Sequence, residues 1–152
     1  MILRRLLSLV LLGAVLTACA SAPVRVDRQA EKSGFEKSIV HGKGFRHVVY
    51  ENRWAGKSGD IVNVYIEGDG NPWIMGRFIA QNPTPAKPLM LRLMALDPAP
   101  EIYLGRPCYF GLHKDTGCEK KYWSSDRYSA AVAESMVAAL HAMVGDRPVN
   151  LL

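Results

Sequence analysis

Alternating apolar and polar positions predict β-strands in the first part of the ordered chain. The runs SIVHG (residues 38–42) and FRHVVYENRW (residues 45–54) are separated by the turn residues Gly42, Lys43 and Gly44. This spacing predicts two short strands paired antiparallel.

The next strand is predicted from Ile61 to Glu67. Val62, Val64 and Ile66 share one face of this strand, and Tyr65 lies on the other. Both faces are therefore expected to be at least partly buried, as in a strand covered on two sides.

Prolines surround the short apolar run from Leu89 to Leu96. This run predicts one or two helical turns, and a strand is predicted to follow from Glu101 to Leu104 or Gly105.

The clearest helical periodicity runs from about Asp126 to Val144. Ser124 or Ser125 is the predicted N-cap, and Gly145 closes the helix. The apolar residues of RPVNLL (residues 147–152) then begin another strand. A strand, a crossover helix and a strand in this order predict a parallel βαβ unit, and therefore an α/β fold.

The first segment reads as a targeting sequence rather than as part of the fold. Met1–Ala18 contains Arg4 and Arg5, an apolar run and then small residues, which is typical of a signal peptide. The run is shorter than the roughly 18 to 20 residues that a membrane-spanning helix needs. Its end, from Leu16 through Thr17 and Ala18 to Cys19, resembles a bacterial lipobox.

The lipobox resemblance implies that Cys19 is acylated and becomes the N-terminus after cleavage, which anchors the protein to a bacterial membrane. Ala20 is not an aspartate, which favours the outer membrane, with the protein on its periplasmic face. The charged residues 19–34 are predicted to form a flexible tether, and the folded domain is predicted to span residues 35–152.

The charge balance argues against a nucleic-acid partner. The full chain has 19 basic and 14 acidic residues, for a formal charge of +5. Without Arg4 and Arg5 of the leader, the formal charge falls to +3. The basic residues are scattered and are not interleaved with aromatic residues, so we expect no nucleic-acid surface.

Cys108 and Cys118 remain once Cys19 is assigned to lipid. In an oxidising compartment they are expected to form a disulfide. The alternative is a zinc site that includes His113, but a fourth ligand is missing and the spacing fits no common zinc finger. We therefore predict no metal.

Three segments follow one another along the chain: VYIEGDGNPW, PTPAKPLMLRLMALDPAPEIYLGRPC and CEKKYWSSDRY. Taken in this order, they resemble the N-terminal half of the α/β-hydrolase fold in a bacterial branch that includes lipoproteins. The resemblance covers roughly residues 45–152. It implies antiparallel strands at the start of the sheet, a parallel βαβ unit after them, and an oxyanion-hole turn after the third strand.

The resemblance places the oxyanion-hole backbone at Gly68, Asp69 and Gly70, with the N–H of Asp69 or Gly70 as the donor. An acid here departs from the commoner His-Gly-Gly pattern. Two alternatives remain open: a plain hairpin turn, and a dinucleotide-binding turn, in which Trp73 occupies the position of the third glycine.

No Gly-x-Ser-x-Gly occurs in the 152 residues, so no catalytic residue is assigned. The four histidines are expected to be structural or surface residues, and no cofactor is expected. The chain is thus predicted to be a truncated, inactive part of a hydrolase that cleaves an ester or related acyl bond in its full-length form. The alternative is a complete small lipoprotein that acts as a binding module.

Overall fold

The computed structural model describes residues 21–52, 61–98 and 101–152. The predicted leader, the lipobox and Cys19 lie outside these residues. The described chain has a mixed α/β fold with a partly parallel five-stranded sheet, three α-helices and a small two-stranded hairpin. Within these ranges, none of the helices has both the length and the apolar character to cross a membrane.

The helices and strands follow one another in a simple order along the chain. They are α1 (Ala22–Lys32), β1 (Glu36–His41), β2 (Arg46–Glu51), β3 (Val62–Ile66), β4 (Trp73–Ile74), β5 (Phe78–Ile79), α2 (Leu89–Met94), β6 (Glu101–Leu104), α3 (Ala130–Val144) and β7 (Val149–Leu151). Two short 3₁₀ helices, Leu112–Lys114 and Lys120–Trp123, lie between β6 and α3.

The large sheet has the strand order β1-β2-β6-β3-β7. β1 pairs antiparallel with β2, and β2 pairs antiparallel with β6. β6 and β7 both run parallel to β3. The antiparallel strand pair, the third strand and the parallel βαβ unit predicted from the sequence are therefore confirmed.

Both faces of the sheet are covered, and the apolar side chains of each strand point alternately to one face and the other. Val62 and Val64 of β3 and Ile102 of β6 belong to a core cluster that also contains residues of α3. Tyr65 and Tyr103, on the opposite face of the same strands, belong to a second cluster with residues of α1 and α2. The result is a three-layer arrangement with helices on both sides of the sheet.

The chain reverses its direction across the sheet after β6. The connection from β3 to β6 carries α2, and the connection from β6 to β7 carries α3 and passes over β3. These two helices pack on opposite faces. The carboxyl ends of β3 and β6 are therefore neighbours at the point where the chain changes direction, and open α/β sheets commonly bind ligands at such a point.

Helix α1 occupies most of the segment that the sequence predicts to be a flexible tether. Its buried residues are Val26 and Ala30, one helical turn apart, and Tyr50 donates a hydrogen bond to Asp27 at 2.5 Å. Charged and polar residues dominate this segment, so its composition resembles that of a solvated linker, although Val26 and Ala30 have helical spacing. Packing against the sheet stabilises this helix, as is common in proteins.

Helix α3 begins later than the sequence predicts. Its N-cap position is Ser129 and its first residue is Ala130, whereas the prediction started near Asp126 with a cap at Ser124 or Ser125. The two predicted cap serines make other contacts: Ser124 donates to the carbonyl of Lys120, and Ser125 donates to Asp126. The predicted end at Gly145 is confirmed.

The buried His47 of β2 contacts the residue after β6 and helix α3. The Nδ1–H of His47 donates to the carbonyl of Gly105 at 2.9 Å, and the Oγ–H of Ser135 donates to Nε2 at 2.8 Å. Burial lowers the pKa of His47. Gly42 allows this approach, because a Cβ there would lie 2.2 Å from the carbonyl oxygen of Ser135.

Candidate functional site

The turn predicted to be an oxyanion hole lies at the carboxyl ends of the neighbouring parallel strands β3 and β6. Gly68, Asp69 and Gly70 follow the carboxyl end of β3, and Arg106 follows the carboxyl end of β6. We call residues 67–71 the Asp69 turn. Its position at the reversal point of the sheet makes it the first candidate for a functional site.

The carboxylate of Asp69 is held by three side chains. The Nη1 of Arg106 donates to it at 3.0 Å, the Nε of Arg127 at 2.8 Å and the hydroxyl of Tyr128 at 2.8 Å. The ring centroid of Tyr128 lies 5.1 Å from the guanidinium carbon of Arg106 and 4.9 Å from that of Arg127. The negative charge of Asp69 is thus offset by two cations.

The main chain of the turn is also anchored. The hydroxyl of Tyr109 donates to the carbonyl oxygen of Asp69 at 2.8 Å, and the N–H of Asn71 donates to the carbonyl of Pro83 at 2.8 Å. Burial raises the pKa of Tyr109 to about 12, so its hydroxyl remains a proton donor at neutral pH. Gly70 has a positive φ of 64°.

The three predicted backbone donors differ in their surroundings. The N–H of Gly68 donates to the Oε1 of Glu67 at 3.3 Å. Within the described residues, no acceptor takes the N–H of Asp69 or of Gly70. These two N–H groups are the ones that the resemblance to α/β-hydrolases implies as possible oxyanion donors.

Glu67 links the start of the turn to α2. Its carboxylate accepts hydrogen bonds from the N–H of Met90 at 3.2 Å and from the hydroxyl of Tyr103 at 3.4 Å. Burial raises the pKa of Glu67, and the hydrogen bonds from Gly68 and Met90 oppose this effect. Glu67 therefore connects the start of the turn to α2 and β6.

The residues that surround Asp69 are absent from the site predicted from the sequence. They are Arg106, Tyr109, Arg127 and Tyr128. The one available signal was position: Arg106 follows the strand predicted to end at Leu104 or Gly105, and the carboxyl ends of parallel strands meet at one edge of a sheet. Arg127 and Tyr128 lie in a stretch that was predicted to be helical.

The predicted disulfide between Cys108 and Cys118 is confirmed. It closes the loop that carries Tyr109, and the N–H of Phe110 in this loop donates to the hydroxyl of Thr84 at 2.7 Å. The pairing removes both thiolates that the zinc alternative with His113 requires. In the described part of the chain, no three His, Cys, Asp or Glu side chains form a group that could hold a metal ion.

His47 and Ser135 have the spacing of a nucleophile and its base, but they do not form a reaction site. Both residues are fully buried, so a substrate cannot reach the serine hydroxyl. The ring of His47 is oriented by a backbone carbonyl. This pair fixes the packing of α3 on the first hairpin.

A shallow apolar cavity of about 600 Å³, widely open to solvent, lies beside β3. Its lining includes Tyr65, Met90, Leu93, Leu96, Asp97 and Leu152. Tyr65 and Met90 belong to the strand that ends at the Asp69 turn and to the helix that Glu67 contacts. The cavity therefore lies on elements that also build the turn.

Searches for a matching family model, a similar curated protein and a similar solved structure find no match for this chain.

Proposed function

We propose that the chain is the N-terminal half of an α/β-hydrolase domain and that its Asp69 turn supplies the oxyanion hole for cleavage of an ester or related acyl bond. The observation that carries this proposal is the sheet. The strand order β1-β2-β6-β3-β7, with β2 antiparallel to its neighbours, is the order in which an α/β-hydrolase sheet begins.

The turn itself supports the same function. In the α/β-hydrolase fold, the loop after the third strand of the sheet contributes one N–H of the oxyanion hole. Here that loop contains Asp69 and Gly70, whose N–H groups have no acceptor within the described residues. Such donors stabilise the negative oxygen that develops when a carbonyl is attacked.

The acid in the turn is compatible with this role because its charge is neutralised. A free carboxylate next to the donors would repel a developing oxyanion. Arg106 and Arg127 both contact the carboxylate of Asp69 within 3.0 Å, so this carboxylate and the two guanidinium groups together carry a formal charge of +1. The apolar cavity beside β3 suits the acyl part of a substrate.

We further propose that Cys19 carries the lipid and that the domain faces the periplasm from the outer membrane. The support is the order of Leu16, Thr17, Ala18 and Cys19 after the short apolar run. When the protein is extracted from membranes, its intact mass should correspond to a chain that begins at a diacylglyceryl-modified Cys19. A Cys19→Ala variant should lack the lipid mass, and an unmodified Cys19 in the wild-type protein would refute lipidation at this residue.

Ester hydrolysis should require sequence that these 152 residues do not contain. The DNA after the Leu152 codon, read in all three forward frames, should encode Gly-x-Ser-x-Gly followed by an acid and a histidine. A protein that includes this continuation should hydrolyse 4-nitrophenyl butanoate, and alanine in place of its elbow serine should abolish the activity. The 152-residue chain should stay at the background rate.

Two results would contradict this proposal. One is the absence of such a continuation in every frame. The other is hydrolysis by the 152-residue chain that survives the combined change of Ser124→Ala and Ser125→Ala, because this would require a different mechanism.

A further inference from the structure

Four hydrogen bonds from two separate segments converge on a single residue, Asp69. Three reach its carboxylate and one reaches its carbonyl oxygen. Both the side chain and the following peptide group of Asp69 are therefore fixed. A plain connecting turn between a strand and the next element does not need this many partners.

The contact from Tyr109 has a specific consequence for Gly70. The carbonyl of Asp69 and the N–H of Gly70 belong to one planar peptide group, in which they point in opposite directions. A hydrogen bond of 2.8 Å from the hydroxyl of Tyr109 to this carbonyl therefore also fixes the direction of the Gly70 N–H.

Arg106 holds the same turn from its carboxylate side. Its side chain is only 7% exposed. Nη1 donates to Asp69, and Nη2 donates to the carbonyl of Arg127. Arg106 thus connects the turn after β3 with the segment that precedes α3.

Stability alone does not account for an arginine at this position. The buried Nε of Arg106 has no hydrogen-bond partner within the described residues, and an unsatisfied buried donor is unfavourable. A buried ion pair is often no more stabilising than well-packed apolar side chains of similar volume. The arrangement is better explained by the geometry that it imposes on the turn.

We propose that Tyr109 and Arg106 are positioning residues that hold the Gly70 N–H in a fixed direction as the oxyanion donor. Tyr109 fixes the peptide plane and Arg106 fixes the carboxylate of Asp69. The donor role rests on the proposed function, whereas the rigidity of the turn is a property of this chain alone. Asp69 and Gly70 were equivalent candidates in the sequence, and these contacts select Gly70.

The test is ¹⁵N relaxation of the full 152-residue chain. In the wild-type protein, the Gly70 amide should have an order parameter near that of rigid backbone, about 0.85, and in Tyr109→Phe and Arg106→Met it should fall below about 0.6. The amides of Val62 and Val64 should be unchanged. Arg46→Met is a matched control, because it breaks an Arg–Asp pair with Asp115 that does not touch the turn.

A purely structural role predicts a different result. It would lower the unfolding temperature of the variants while leaving the Gly70 order parameter of the folded protein at the wild-type value, and this would overturn the proposal. If Arg106→Met does not fold, the Gly70 order parameter of Tyr109→Phe decides between the two roles, since this change removes only a hydroxyl. Arg106→Lys should restore part of the rigidity by keeping a cation beside Asp69.

The relaxation result is independent of ester hydrolysis. A rigid Gly70 amide that Tyr109→Phe and Arg106→Met loosen would support the positioning role even if the extended protein were inactive. An active extended protein with a mobile Gly70 amide in the wild-type chain would refute it and leave the hydrolase function standing.

Discussion

Gly70→Ala is expected to destabilise the protein by about 3 kcal/mol, whereas Gly68→Ala is expected to cost less than about 1 kcal/mol. A Cβ at Gly70 would lie 2.3 Å from the carbonyl oxygen of Pro83 and 3.0 Å from the ring of Tyr109. A carbonyl in the main chain cannot move aside as a flexible side chain can. The positive φ of Gly70, 64°, adds roughly 1–2 kcal/mol for any residue with a Cβ.

Gly68 is a matched control within the same turn. A Cβ there would meet no atom within 4 Å, and its φ lies outside the left-handed region. Urea unfolding of the two variants and the wild type measures the difference directly. Equal unfolding free energies for the two variants would show that Pro83 moves without cost and that the turn is not held as tightly as its contacts indicate.

The strands of the five-stranded sheet could be predicted from the sequence because their apolar patterns are regular, whereas the short hairpin of β4 and β5 was not predicted. β3 alternates between residues that face α3, such as Val62 and Val64, and Tyr65 on the other face. α1 is missed because its charged and polar residues resemble a solvated linker, although Val26 and Ala30 have helical spacing and Pro23 lies in its first turn. Its stability comes from contacts with the sheet, which a local pattern does not contain.

The late start of α3 has its cause in the candidate site. Helical periodicity extends back to Asp126, but Arg127 and Tyr128 place their side chains on Asp69. The backbone here forms turns, with the N–H of Ser129 donating to the carbonyl of Asp126. These tertiary contacts outweigh the local preference for helix, which amounts to less than about 1 kcal/mol per residue.

The position of the Asp69 turn could be predicted, but its partners could not. Two glycines after an apolar strand indicate a turn from the local sequence alone. Arg106 and Arg127 are 37 and 58 residues away from Asp69. Their approach depends on β6 lying beside β3, and this strand order is a property of the topology rather than of any local pattern.

The combined change of Cys108→Ala and Cys118→Ala is expected to lower the free energy of unfolding by about 3 kcal/mol. The disulfide joins residues 10 apart in sequence, and closing a loop of this length removes roughly that much conformational freedom from the unfolded chain. A typical domain is stable by only about 5–15 kcal/mol. The loss would therefore be a substantial part of the total.

The conformation of the closed loop makes it dependent on this bond. Cys108 and Phe110 have positive φ values of 68° and 54°, a conformation that costs about 1–2 kcal/mol for each residue other than glycine. Burial of Phe110 against Tyr50 and Tyr103 helps to offset this cost. Without the disulfide, the backbone around Tyr109 is expected to relax, and its hydroxyl should leave the carbonyl of Asp69.

Urea unfolding with and without a thiol reductant tests this expectation. Reduction should lower the midpoint of the wild-type protein to that of the double variant and should leave the variant unchanged, because the variant contains neither thiol of the pair. If the reduced wild type and the variant unfolded at the midpoint of the oxidised wild type, the loop would be held by its packing alone. The disulfide would then have no part in fixing Tyr109 against the Asp69 turn.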